Sequence, residues 1–268
     1  FLVIICGFIF MGGVDRLASV TEKLVPVMAA FFLIGGLGVL AMRLQYIPET
    51  FGLIFKYAFQ PQAIIGGGFG IAIKTAVSQG AKRGLFSNEA GMGSTPHAHA
   101  LALVKNPHEQ GCVAMVGVFI DTFIVLTLNA LVIISTLYAG NGPLANGYVG
   151  EAANTLKNTN LAQVAFGVVY GDKAGAVFVA ICLFFFAFST ILGWNLFAKI
   201  NVTYLFGKKA QRPFMLVALV FIFLGTIGES DLVWACSDMF NQLMVIPNAI
   251  ALFALTGVVT KMLGDRDK

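Results

Sequence analysis

The chain has 268 residues, of which 58% are hydrophobic and only 11% charged, with a net charge of +4 and a mean hydropathy of +0.85. A water-soluble protein of this length keeps about a quarter of its residues charged, so this composition excludes a soluble fold and makes lipid the main solvent of the surface. The four cysteines (Cys6, Cys112, Cys182, Cys236) form no CxxC pair and no metal-ligand spacing, and read as small buried hydrophobes.

In chain order, the first apolar run, Phe1–Met11, is too short to cross a bilayer, since a span needs roughly 20 apolar residues. It lacks the basic start and small-residue cleavage site of a signal peptide. The expectation is a fragment that begins inside a span. Six segments long enough to cross follow at Leu24–Met42, Ala63–Gly80, Gly111–Ala139, Lys173–Lys199, Phe214–Gly228 and Met244–Met262. The stretch Glu229–Leu243, with Glu229, Asp231, Asp238 and Asn241, predicts an interfacial helix with Trp234 at headgroup depth. Pro247 is then expected to start or kink the last span. The long connection Gly140–Asp172 is rich in Gly, Asn and Ala and has room for short helices.

Loop charges order these spans. Lys82, Arg83 and Lys105, then Lys208, Lys209 and Arg212, then Lys261, Arg266 and Lys268 all fall on one side when the spans alternate. The positive-inside rule makes that side cytoplasmic, with a cytoplasmic C-terminus.

Within the second segment stands AIIGGGFGIAIKT, Ala63–Thr75, in which four of the five residues Gly66, Gly67, Gly68, Phe69 and Gly70 are glycine. Each glycine costs a helix interior about 1 kcal/mol relative to alanine. Gly66-x-x-x-Gly70 matches the small-xxx-small packing pattern of membrane helices. Three consecutive glycines cover every face of a helix, however, and a packing stripe needs only one. The alternative is a helix break that frees backbone N–H and C=O groups inside the membrane, where only protein or a water-filled cavity can satisfy them. Transporters bind substrates and ions at such breaks. The dinucleotide fingerprint is not matched, and no TVGYG filter occurs.

FFFAFSTILGWN, Phe184–Asn195, sets Ser189 and Thr190 in a very apolar span. Hydroxyl and carbonyl oxygens suit hard cations, although such hydroxyls also bond back to the i−4 carbonyl without further purpose. Trp194 lies one turn beyond Thr190, where its ring could close a pocket. Asp121, in GVFIDTFIV, is an ionisable group inside a span: a functional carboxylate or a structural clamp to a basic loop residue. Lys74 follows the glycines and either snorkels or pairs with Asp121. In the loop Gly80–Ala100, Thr95–Pro96 reads as an N-cap and first helical position. His97 and His99, two apart, share no helix face, and Ser94 with His97 lacks a third orienting group, so neither a metal site nor a hydrolase is expected.

RGLFSNEAGMGSTPHAHA (Arg83–Ala100) resembles the hallmark region of the alanine or glycine:cation symporter family, the sodium:alanine symporters. LASVTEKLVPVMA (Leu17–Ala29), GVFIDTFIV (Gly117–Val125), FSTILGW (Phe188–Trp194) and NQLMVIPNAIAL (Asn241–Leu252) agree in order along nearly the whole chain. The resemblance implies an all-α polytopic membrane protein of the amino acid–polyamine–organocation superfamily. That fold has two five-helix inverted repeats, each opening with a broken helix. Residues 1–42 would end the first repeat, 43–62 form an outer loop, and 63–262 form the second repeat, with a cytoplasmic loop at 81–110, an outer loop at 140–172 and a tail at 263–268.

The function so implied is symport of Na⁺ (or H⁺) with a small neutral amino acid such as alanine or glycine, across a prokaryotic cytoplasmic membrane. Gly66, Gly67, Gly68, Phe69, Gly70, Thr190 and Trp194 would hold the substrate, and Ser189, Thr190 and the Phe186 carbonyl would hold Na⁺. The other half of both sites would belong to the broken helix of the first repeat, of which only the end, residues 1–42, is expected here. The expected partners are the substrate, the coupling ion and lipid, with no nucleic acid and no cofactor beyond Na⁺, in a monomeric full-length protein. An ion channel with a re-entrant glycine loop is the alternative, weakened by the lack of an acidic ring near the glycines. A membrane-embedded enzyme would need paired catalytic groups at one depth, and only Asp121 and Lys74 offer themselves, so no enzyme is expected.

Overall fold

A computed structural model of the protein describes residues 2–59, 69–146, 156 and 160–264. Helices make up all the regular structure of the described residues: α1 (Leu2–Met11), α2 (Gly13–Met42), a 3₁₀ turn at Leu44–Tyr46, α3 (Ile47–Phe59), α4 (Phe69–Asn88), α5 (Pro96–His99) and α6 (Pro107–Phe119). α6 continues without interruption through a π-helical stretch at Ile120–Leu126, α7 (Thr127–Ile133) and a second π-helical stretch at Ile134–Tyr138. Then come α8 (Leu161–Tyr170), α9 (Asp172–Phe206), a 3₁₀ turn at Lys208–Ala210, α10 (Gln211–Ile227) and α11 (Ser230–Gly264). Five stretches are long and apolar enough to cross a membrane: Arg16–Met42, Pro107–Tyr138, Asp172–Phe206, Lys208–Ile227 and Ser230–Met262. The chain is an all-helical, multi-pass membrane protein, as its composition required.

Two compact units divide it, Phe1–Ile73 with Phe119–Asn195, and Lys74–Val118 with Leu196–Lys268. The first has a core of Val39, Leu128, Val132, Leu137, Leu144, Leu156, Ala165, Phe166 and Val179. Glycines bring its helices close. The Gly35 position of α2 lies under the Phe178 ring and Gly36 under Leu128, while Tyr170 donates its hydroxyl to the Gly35 carbonyl at 2.7 Å. With little hydrophobic drive between helices in lipid, such small-residue contacts hold membrane helices together. The end of the α6–α7 span is closed by α2 and α3. Arg43 donates from Nε and Nη2 to the Ser135 carbonyl at 3.0 and 2.6 Å, placing a cation where a helix C-terminus presents unpaired carbonyls. Glu49 accepts from the Gly140 amide at 3.0 Å.

In the second unit α4 lies against α11. Lys82 Nζ is 2.6 Å from Asp238 Oδ2, and Arg83 Nη1 and Nη2 reach the same carboxylate at 3.3 and 3.5 Å. The Arg83 guanidinium also lies over the Trp234 ring at 5.6 Å, which Phe86 meets edge-on at 5.9 Å.

Several expected boundaries shift. α4 runs to Asn88, past the expected span end at Gly80, because Lys82, Arg83 and Phe86 find partners on α11. α9 extends to Phe206, beyond Lys199, and its last turns are held by the Thr203 hydroxyl on the Lys199 carbonyl. The expected interfacial helix and the last span are one helix, Ser230–Gly264, with Pro247 inside it. Proline removes a single amide donor and does not force a break when the neighbouring turns are held. Trp234 therefore packs on α4. The connection Gly140–Asp172 does contain a short helix, α8.

Candidate functional site

The glycine run that suggested a broken helix lies at the edge of what is described. Gly66, Gly67 and Gly68 fall outside the described residues, and α4 begins directly after them, at Phe69 and Gly70. Lys74 is exposed on α4 and belongs to the second unit, whereas Asp121 belongs to the first. Asp121 stands in the first turn of the π-helical stretch Ile120–Leu126, half-buried. π-turns inside long helices recur at functional sites.

The hydroxyl pair is well defined. Ser189 donates from Oγ to the Phe186 carbonyl at 2.9 Å, and Thr190 donates from Oγ1 to the same oxygen at 2.8 Å. Three oxygens are thus gathered on one turn of α9. These are the i−3 and i−4 back-bonds that isolated Ser and Thr residues make in membrane helices. Each hydroxyl spends its proton on the carbonyl, and its oxygen keeps lone pairs for a cation. The donor set, two neutral hydroxyls and one carbonyl, fits a hard monovalent cation. The turn is positioned by the ring of Phe186, which meets Phe32 of α2 edge-on at 5.6 Å, and by Phe188 and Leu192, both buried. Thr190 is exposed and Trp194 half-buried. They are one turn apart on one helix face, as their spacing required.

Two polar features escaped the reading by pattern. Asn195, next to Trp194, is only 8% exposed in an otherwise apolar stretch; a lone amide deep in a span was the available signal. Asp238, also buried, gathers Lys82 and Arg83, which the loop-charge argument had treated only as topology markers. Nothing local in sequence pairs residues 155 positions apart. Among the described residues no group of three or more His, Cys, Asp or Glu side chains is placed to hold a metal ion.

An all-helical, multi-pass membrane protein, with two hydroxyls and a carbonyl gathered on one turn of a long apolar helix, is the class that these features define. The chain belongs to the sodium:alanine symporter family, whose model matches residues 1–268. It is 38% identical over 259 residues to AgcS, a sodium/alanine symporter of Methanococcus maripaludis, covering 96% of this chain and 54% of that protein. A sodium/proton-dependent alanine carrier of Bacillus sp. (strain PS3) is 36% identical over 267 residues, covering 95% and 58%. An uncharacterized transporter of Haemophilus influenzae is 40% identical over 265 residues, covering 98% and 52%. The chain spans about half the length of the curated relatives it matches.

Proposed function

We propose that this chain is the second half of a symporter that couples inward Na⁺ movement, or H⁺ movement, to uptake of a small neutral amino acid, alanine or glycine first. The observation that carries the reading is the turn of α9 where the Phe186, Ser189 and Thr190 oxygens meet, in a chain whose relatives include proteins named as sodium/alanine and sodium/proton-dependent alanine carriers. On this reading the chain holds the second five-helix repeat of a five-plus-five inverted-repeat fold in a prokaryotic cytoplasmic membrane, with its basic loops and C-terminus inside.

In the proposed mechanism, the Ser189 and Thr190 oxygens and the Phe186 carbonyl give Na⁺ part of its shell, and a helix of the first repeat gives the rest. The backbone freed at Gly66–Gly70 receives the charged ends of the amino acid, and Phe69 packs over it. Thr190 and Trp194 wall the opposite side, and the small volume under the aromatic rings excludes long side chains. Because Thr190 borders both sites, filling one orders the other, which is the coupling that symport needs.

The test uses the full-length protein in proteoliposomes. The double substitution Ser189→Ala/Thr190→Ala raises the sodium concentration for half-maximal alanine uptake about tenfold or more, a loss of about 1.4 kcal/mol or more of ion binding. Unchanged sodium dependence refutes the ion-site assignment.

A further inference from the structure

Lys208, Lys209 and Arg212 served above only to order the spans, and no step of the proposed symport uses them. They stand at the corner where α9 gives way to α10. Gly207 turns the chain there in the left-handed region (φ 78°), which glycine adopts without strain. Hydrogen bonds brace the corner: Gln211 donates from Nε2 to the Thr203 hydroxyl at 2.7 Å, and Thr203 donates to the Lys199 carbonyl at 2.6 Å. The backbone is helical from Lys208 onward. Arg212 therefore lies about one turn from both lysines, with about 5–6 Å between Cβ atoms.

Among the described residues no carboxylate is within ion-pair distance of Lys208, Lys209 or Arg212, in contrast to Lys82 and Arg83, whose charges meet Asp238. From Leu196 to Gly228 the chain has four basic residues and no acidic one. The next carboxylate, Glu229, follows at the opposite end of α10, a helix of 17 residues, or about 25 Å away. Like charges one turn apart repel each other, and all three of these are exposed. A braced corner that holds three cations together without a counter-charge favours an anion from outside the chain.

The surroundings of the corner select the kind of anion. Tyr204, Leu205 and Phe206, immediately before it, are 86%, 66% and 73% exposed, and aromatic side chains at the end of a span suit the depth of lipid headgroups. On α10, Leu216, Val220 and Phe223 follow Arg212 by 4, 8 and 11 residues, which at 3.6 residues per turn keeps all of them within about 80° of its direction. All three are exposed. They form an apolar lane that runs about 17 Å from the cations, close to half of the roughly 30 Å hydrocarbon core of a bilayer. A soluble phosphate gains nothing from such a lane, whereas an acyl chain of one leaflet fits its length.

We propose that the α9–α10 corner is a binding site for an anionic phospholipid. Lys208, Lys209 and Arg212 hold its phosphate, Arg212 through paired N–H groups and the lysines as point charges. Tyr204, Leu205 and Phe206 sit at headgroup depth, and an acyl chain follows Leu216, Val220 and Phe223. The site does not depend on what the protein transports.

The test uses the full-length protein reconstituted in bilayers of phosphatidylcholine and phosphatidylglycerol, of which only the second carries a net charge. The other cysteines are replaced, Leu216→Cys carries a fluorophore, and nitroxide-labelled lipid of either kind is the quencher. Quenching there favours phosphatidylglycerol about fivefold or more at low salt, and the preference falls as salt screens the cations. Ile227→Cys, at the far end of α10 and two residues before Glu229, shows no preference. Lys208→Gln/Lys209→Gln/Arg212→Gln lowers the preference at Leu216→Cys to less than about twofold. Quenching of that variant by phosphatidylcholine stays as in the parent, which a variant that had failed to fold would not show. Lys208→Arg/Lys209→Arg/Arg212→Lys, which keeps the charges, keeps the preference. Inorganic phosphate displaces the lipid no more than chloride of equal ionic strength does; stronger displacement overturns the choice of a lipid. Equal quenching by the two lipids in the parent overturns the site, as does a preference that survives the triple neutralisation. A parent reporter that neither lipid quenches also overturns it, because protein then covers this face of α10 in the full-length molecule.

Discussion

Arg43 shows how one side chain closes a helix end inside an apolar environment. Its guanidinium sends two N–H groups to the Ser135 carbonyl and lies 3.9 Å above the Tyr46 ring. Planarity lets arginine make the fork and the stacking contact together, and lysine can make neither as a pair. Arg43→Lys is therefore expected to destabilise the protein by about 1–2 kcal/mol, measured as a lower midpoint of thermal unfolding in detergent with unaltered helix content. An unchanged midpoint would show that the fork contributes nothing beyond its charge. The hydroxyls of Ser189 and Thr190 follow a related logic. Their back-bonds to Phe186 satisfy both hydroxyl protons within the helix's own turn.

At the scale of elements, α8 and α9 of the first unit meet backbone to backbone at Gly167 and Gly175. A Cβ at Gly175 of α9 would stand 2.6 Å from the Gly167 Cα, and that neighbour is backbone, which cannot move aside as a flexible side chain can. Gly167 and Gly175 are both buried. Gly175→Ala is expected to force the helices apart at a cost of about 1–3 kcal/mol. The change should appear as a lower unfolding midpoint and a lower yield of folded protein, whereas Gly193→Ala, with open space around its Cβ, should be close to neutral. If both substitutions behave alike, the crossing is not tight.

The extension of α4 to Asn88 belongs to the same scale. Polar residues past Gly80 read locally as loop, and they are helical because Asp238 and Trp234 of α11 receive Lys82, Arg83 and Phe86. Hydropathy reports where a helix leaves lipid and says nothing of where it ends, so α9 outran its expected end in the same way. Pro247 is the converse case. The residue expected to start or kink the last span lies inside one helix, Ser230–Gly264, since one missing donor is a local loss that a long helix absorbs.

For the whole molecule, the decisive question is what the glycines at 66–68 do, and it concerns the full-length protein. On the proposed reading Gly67→Leu or Gly68→Leu abolishes alanine binding, a loss of at least about a hundredfold in equilibrium binding of labelled alanine with sodium present, because a side chain would fill the space where backbone meets substrate. Binding within about twofold of the parent would return these glycines to helix packing.

Much of this protein was legible in its sequence, and for a definite reason. Lipid is a uniform solvent that demands long apolar helices with internally satisfied backbone. Composition alone therefore determined the class, hydropathy placed one expected segment within or across each of the five described spans without fixing their ends, and the period of 3.6 put Thr190 and Trp194 on one face before any coordinate was known. The family's hallmark residues were equally open to reading, because they are contiguous. What only the tertiary structure decided is whatever joins residues far apart in the chain: Arg43 on Ser135, Asp238 on Lys82 and Arg83, and His97 on Asn201. These contacts depend on which helix lies beside which, and a pattern with the period of one helix carries no information about its neighbour.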